Sequence, residues 1–114
     1  MTTRLFHTKM VEFLDEYQMY LLLVKSNENV VSHCTIIHEF INYIYNYHLV
    51  AGIEQITVSM ANSKFYAFYT RKNKESITKE TMKEILKGFF IFLDGKYGIK
   101  NEKLLRGFGI DNVA

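Results

Sequence analysis

A chain of 114 residues with 48% hydrophobic and 15% aromatic content is long enough for one core, too short for two, and too apolar to remain disordered. Its net charge of +2 neither demands nor excludes a polyanionic partner. The longest apolar run, Met19 to Val24, is too short to cross a bilayer, and the start MTTRLFHTKM lacks the apolar stretch of a secretory signal, so a cytoplasmic protein with no membrane partner is expected.

Charge is divided unevenly along the chain. Residues 1–63 hold three basic side chains against six acidic ones, whereas residues 64–114 hold eleven against six. Such a split suggests one face for a polyanion and another for a protein partner. With a single cysteine no internal disulfide can form, which fits a reducing compartment. Cys34 has only His33 beside it to lower its pKa, so it reads as a small buried hydrophobe.

There is no proline, no low-complexity segment and no internal repeat, so breaks must come from glycine and polar clusters. The first helix is expected from about Lys9 to Lys25, with Val11, Leu14, Tyr17, Leu21 and Val24 on one side. The polar cluster Ser26-Asn27-Glu28-Asn29 ends it and offers Asn29 as N-cap for a second helix, Val30 to about Val50. Ile37, Phe40, Ile41, Ile44 and Tyr47 form the core side of that helix, and Gly52 closes it. Thr57 or Ser59 can cap a third, shorter helix through Phe65, Phe68 and Tyr69, followed by the basic link Arg71-Lys72-Asn73-Lys74. Strand propensity is raised at Phe65 to Thr70 and Ile36 to Tyr47, but the periodicity of both favours helix.

Thr78 is the expected N-cap of a fourth helix, although Thr81 stands where a full capping box would place Glu or Gln. Met82, Ile85, Leu86, Phe89, Phe90, Leu93 and Tyr97 follow the spacing of a helix that buries one side. Lys79, Lys83 and Lys87, four apart, form a stripe read as lying away from that core. Glu80 and Glu84 interrupt the stripe and can pair with Lys83 and Lys87 at i, i+3. A tail from Lys100 to Ala114 has room for one more short helix around Glu102 to Arg106. The fold class is therefore all-α, a four- to five-helix bundle forming one domain over residues 1–114.

Taken in order, these segments resemble the core-binding domain of tyrosine recombinases and phage integrases, a SAM-like helical bundle that precedes the catalytic domain. Leu86-Lys87-Gly88-Phe89-Phe90-Ile91-Phe92-Leu93 looks like the family's leucine, two variable residues, Phe-Phe, a variable residue, then Phe-Leu. Gly98-Ile99-Lys100-Asn101 is similar to the glycine and hydrophobic residue that lead to Asn-Pro, with Glu102 in place of the proline. Asn29-Val30, His33, Ile37 and Phe40 lie where the family shows Thr-Ile, Tyr, Leu and Phe, and Ile53 to Thr57 resembles the segment that introduces its third helix. The resemblance covers roughly residues 9–101 and rests mostly on core hydrophobes. A free-standing regulator of swarming motility in bacilli is similar in size, helix order and C-terminal ending.

The resemblance implies a DNA-binding module without a catalyst, since the chain stops before the region of the family's arginines, histidines and nucleophilic tyrosine. It would be either an N-terminal fragment acting in recombination and integration or a complete small regulator of transcription. Helices two and four of the family face the duplex, which places Lys79, Lys83 and Lys87 near phosphates of double-stranded DNA, extended by Arg71, Lys72 and Lys74. Ser32, Thr35 and Asn42 on helix two are candidates for base edges. A solvated surface accounts for the same polar residues. The competing reading is a protein-interaction adaptor of the same fold that docks on a transcription factor. Surplus apolar surface on Tyr17, Tyr20, Leu21 and Leu22 of helix one, and on Leu104, Leu105 and Phe108 of the tail, would serve a partner or self-association.

No cofactor or metal is expected. His33 and His38 are five apart and fall on different sides of a helix, and no ligand set at a zinc-like spacing completes them. Glu12, Asp15, Glu16 and Glu39 form no recognisable acid/base pair, no phosphate-binding glycine loop occurs, and an enzyme is not expected.

Overall fold

The computed structural model describes residues 2–25, 27–73 and 77–110, and among them it is all-α, with five α-helices and no strand. These are α1 (Thr3–Val24), α2 (Asn27–His48), α3 (Phe65–Asn73), α4 (Lys79–Tyr97) and α5 (Glu102–Gly107), with a 3-10 turn at Ile53–Gln55 and a π-helical segment at Met60–Lys64. The backbone clusters into two compact units, Met1–Ala51 and Gly52–Ala114.

The first unit is the pair α1 and α2. Helix α1 starts six residues earlier than its sequence suggests, because the Thr2 hydroxyl accepts a hydrogen bond from the Leu5 amide (3.1 Å) and caps it. Phe6 and Met10 then join Leu14, Tyr17 and Leu21 at the i, i+4, i+7 spacing of a buried stripe. Val24 lies outside that stripe and is exposed. Helix α2 also starts earlier than expected, at Asn27, so Asn29 is helical rather than a cap. Ile37, Phe40, Ile41 and Ile44 are buried as expected, while Tyr47 is exposed. The chain turns between the helices so that His7 near the start of α1 meets Asn42 near the end of α2, 2.7 Å from Nε2 to Oδ1, making the pair antiparallel.

Helix α2 ends at His48, four residues before Gly52, and does so on a non-glycine residue. Leu49 has φ +50°, and the next amide, Val50, bonds back to the Ile44 carbonyl (3.2 Å). The left-handed conformation costs an L-residue about 1–2 kcal/mol, and Leu49 is 66% exposed, so its side chain recovers little by burial. Leu49→Gly is therefore expected to raise Tm, with a net gain of about 0.5 kcal/mol after the extra freedom of glycine in the unfolded chain. A lower Tm in a thermal melt would mean that the leucine makes contacts worth more than the strain.

The second unit is built on α4. The Thr78 hydroxyl accepts from the Thr81 amide (3.1 Å) and the Thr81 hydroxyl lies 2.8 Å away, so a threonine pair replaces the full capping box. Gly98 closes the helix at φ +66°, its amide donating to the Asp94 carbonyl (3.0 Å), an αL ending that glycine adopts without steric cost. Met82, Ile85, Leu86, Phe89, Phe90 and Leu93 are all buried.

Ahead of α3, the Thr57 hydroxyl accepts from the Met60 amide (3.2 Å), which makes Thr57 rather than Ser59 the cap. The π segment follows, closed by the Phe65 amide reaching the Met60 carbonyl five residues back. It brings Ala61, Phe65 and Tyr69 to one buried face at a spacing of four, wider than the α-helical repeat. Arg71, Lys72 and Asn73 form the last turn of α3 rather than a link, and Lys74 lies outside the described residues.

Helix α5 is capped by Asn101, whose Oδ1 accepts from the Leu104 amide (3.0 Å) while Nδ2 donates to the carbonyls of Ile53 (2.9 Å) and Ile56 (2.8 Å). Leu104, Leu105 and Phe108 are buried, Phe108 stacking on Phe90 with centroids 6.0 Å apart. At Gly107 an added Cβ would come within 2.6 Å of a Val58 methyl, so this close approach requires glycine. The tail is therefore core, and the expectation that it offers apolar surface to a partner fails at these three residues.

Candidate nucleic-acid interface

Charge follows the two units. Residues 1–51 hold three basic side chains against five acidic ones, and residues 52–114 hold eleven against seven, so the second unit carries +4 and the first −2. Every lysine and arginine expected at DNA phosphates belongs to the second unit.

Within it, Lys79, Lys83 and Lys87 do share one side of α4. The 100° step of the helix sweeps them through an arc of about 80°. On the same step Leu86 falls about 20° outside the arc and Phe90 inside it, between Lys79 and Lys83, so the arc overlaps the edge of the buried face, which corrects the reading of a stripe turned away from the core. Accordingly Lys79 is exposed while Lys83 and Lys87 are half-buried. The Lys87 ammonium stands 4.0 Å from Glu84 Oε1, a surface pair of small energetic weight.

Arg71 and Lys72 are exposed on the last turn of α3, where cations also oppose the partial negative charge of the helix end. Two contacts tie the opposite end of α3, its first turn, to the start of α4. The Tyr66 hydroxyl donates to the Ile77 carbonyl (2.9 Å), and the Lys79 ammonium lies over the Tyr66 ring at 5.9 Å. Lys72 similarly lies 5.8 Å over Phe68. The expected basic group, apart from Lys74, is thus carried by the last turn of α3 and by α4, two helices that Tyr66 fastens together at their starts.

Sequence reasoning passed over further cations of the same unit. Lys96 lies 5.6 Å from the ring centroids of both Phe92 and Tyr97, and Lys100, Lys103 and Arg106 are exposed around α5. The excess of basic residues after position 63 was the available signal for them.

Ser32, Thr35 and Asn42 belong to the first unit, on α2. Ser32 is exposed, the Thr35 hydroxyl donates to the Val31 carbonyl (2.8 Å), and Asn42 is engaged by His7 (2.7 Å) and His38 (3.4 Å). Their side of the helix also carries Glu39, whose charge opposes close approach of phosphates.

Among the described residues no three His, Cys, Asp or Glu side chains are grouped so as to hold a metal ion, and no helix is long and apolar enough to cross a membrane. The Cys34 thiol is pushed up first by burial and then by Asp15, the opposite of an activated nucleophile. Tyr17 is pushed up to about 12, chiefly by burial and then by Cys34 and Tyr20. His33 is held below its ordinary value, first by burial and then by Lys25.

A depressed histidine gives stability that is present at neutral pH and lost on acidification, because the unfolded chain takes up the proton first, near pH 6.5. Stability is thus expected to fall from pH 7.5 to pH 5, and His33→Gln is expected to flatten part of that slope. Urea titrations at the two pH values check this, and an unchanged slope would assign it to other groups.

Compared with models of protein families, with curated proteins and with solved structures, the chain matches none. What the fold and the side chains define is an all-α chain whose second unit gathers basic residues on α3 and α4.

Proposed function

We propose that the chain is a non-catalytic DNA-binding module of the kind found in the core-binding domains of integrases, acting in recombination or as a small regulator of transcription. The observation that carries this reading is the Lys79, Lys83 and Lys87 arc on α4, in a unit of charge +4, with α3, which bears Arg71 and Lys72 on its last turn, fastened at its first turn to the start of α4 by Tyr66. These cations clamp duplex phosphates and supply affinity without base reading. Ser32, Thr35 and Asn42 are weaker candidates for sequence preference, since Asn42 already has two partners within its own unit. The test is fluorescence anisotropy with random double-stranded DNA across a salt series. Binding that weakens steeply with salt is expected, and no binding by the parent chain at low salt would remove the reading.

One observation favours the adaptor as a second reading. The end of α1 leaves Met19, Tyr20, Leu22, Leu23 and Val24 exposed, Leu23 at 86%, a concentration of apolar surface suited to a protein contact. Tyr17 and Leu21, expected in the same role, are buried and do not contribute.

A further inference from the structure

A trough of about 330 Å³ runs between α1 and α2, open to solvent, with Leu14, Asp15, Gln18 and Cys34 among the residues of its walls. Val31, Thr35, His38 and Glu39 line it from α2. The two carboxylates come from different helices, Asp15 from α1 and Glu39 from α2. Leu22 lies one heptad beyond Asp15 on the same side of α1, and the antiparallel pairing brings the C-terminal end of α1 to the N-terminal end of α2, where Val31 sits. Leu22 is 48% exposed and Val31 60%. The groove therefore has an apolar end and an acidic end on one continuous line.

We propose that this groove docks an amphipathic, basic helix of a partner protein, with apolar side chains over Leu22 and Val31 and a lysine or arginine between Asp15 and Glu39. The inference deepens the adaptor reading and rests on it. Charge complementarity selects the occupant. The unit carries −2, and α1 adds Glu12 and Glu16 to Asp15, so a second copy of the same helix would set like charges against one another. A helix with apolar anchors at i, i+3 or i+4 and cations one turn on matches both ends of the groove.

Three labelled 18-residue helical probes test this, with Leu at heptad a and d positions and Lys, Gln or Glu elsewhere, titrated against the full chain by anisotropy. The Leu/Lys probe is expected to bind most tightly. Asp15→Asn with Glu39→Gln should weaken it about tenfold, the size of two lost surface ion pairs. Leu22→Ser with Val31→Ser should weaken it similarly. Glu12→Gln with Glu16→Gln removes the same charge from α1 outside the groove and should leave affinity within about twofold. Circular dichroism confirms that each variant is folded, and sedimentation reports self-association.

Equal weakening by the two charge-neutralised pairs would reduce the effect to net charge and overturn the groove. Probe binding that survives every groove substitution but is lost in Met19→Ser with Leu23→Ser would also overturn it, while leaving the adaptor reading in place on another face of α1. No binding of any probe would remove both. A dimer dispersed by Asp15→Asn with Glu39→Gln would assign the groove to a second copy of this chain and overturn the proposed partner.

Discussion

Asn101→Ala is expected to destabilise the second unit by about 2 kcal/mol, the sum of a lost helix cap and one abandoned carbonyl group, that of Ile56, since the Ile53 carbonyl keeps the Ile56 amide (3.2 Å). The side chain uses both ends. Oδ1 takes the Leu104 amide at the start of α5, and Nδ2 divides its two hydrogens between the carbonyls of Ile53 and Ile56, 48 and 45 residues away in sequence. A cap contributes about 1 kcal/mol, and the part-buried Ile56 carbonyl left without this donor about 1 kcal/mol more. Because Leu104, Leu105 and Phe108 are buried, loosening of α5 opens the core beside Phe90 as well. Asn101→Asp separates the contributions, since it keeps the cap acceptor but turns a carboxylate toward two carbonyl oxygens. It should cost at least as much as alanine at neutral pH and less at acid pH. Urea unfolding followed by circular dichroism measures both variants, and a loss below about 1 kcal/mol for alanine would mean that water replaces the amide at the Ile56 carbonyl.

That arrangement also marks where sequence reading stops. Elements fixed by local chemistry were legible. Thr57 and Thr78 cap the helices they precede, and all six apolar positions expected from Met82 to Leu93 of α4 are buried. The start of α1 was missed because Thr3-Arg4 and His7-Thr8-Lys9 leave only Phe6 and Met10 to carry the apolar period. The second helix was begun at Val30, with Asn29 as its cap, because the polar run 26–29 carries cap-forming residue types at several positions and local sequence does not rank them. Leu49 in the left-handed region contradicts its own preference, so no propensity rule would end α2 there. The burial of Leu104, Leu105 and Phe108 depends on the Asn101 clamp and on stacking with Phe90, contacts between distant segments that a periodicity argument does not contain.

The candidate interface divides in the same way. Spacing alone gathered Lys79, Lys83 and Lys87 on one side of a helix, yet their angle to the core follows from Leu86 and Phe90, which extend the buried face into the lysine arc. The fastening of α3 to α4 by the Tyr66 hydroxyl on the Ile77 carbonyl was beyond reach, since the sequence read residues 71–74 as a connection and not as a helix end.

Under the DNA-binding reading, Lys79→Gln, Lys83→Gln and Lys87→Gln together should weaken duplex binding about 500-fold at 0.1 M salt, from counterion release by three phosphate contacts at about 0.9 each. Salt dependence gives a sharper reading than affinity. With five contacts, from Arg71, Lys72 and the three lysines, affinity should fall about 500-fold between 50 and 200 mM salt, whereas two remaining contacts give only about 12-fold. Glutamine is neutral and about as good a helix former as lysine, so the variant tests charge and not folding. Because Lys79 alone of the three α4 lysines is exposed, a graded series is informative as well: Lys79→Gln alone should reduce the slope by about 0.9, and Lys87→Gln by less if Glu84 already holds part of its charge. A triple variant that retains the parent slope would move the phosphate contacts to Lys96, Lys100, Lys103 and Arg106 around α5, and the α3–α4 clamp would have to be given up.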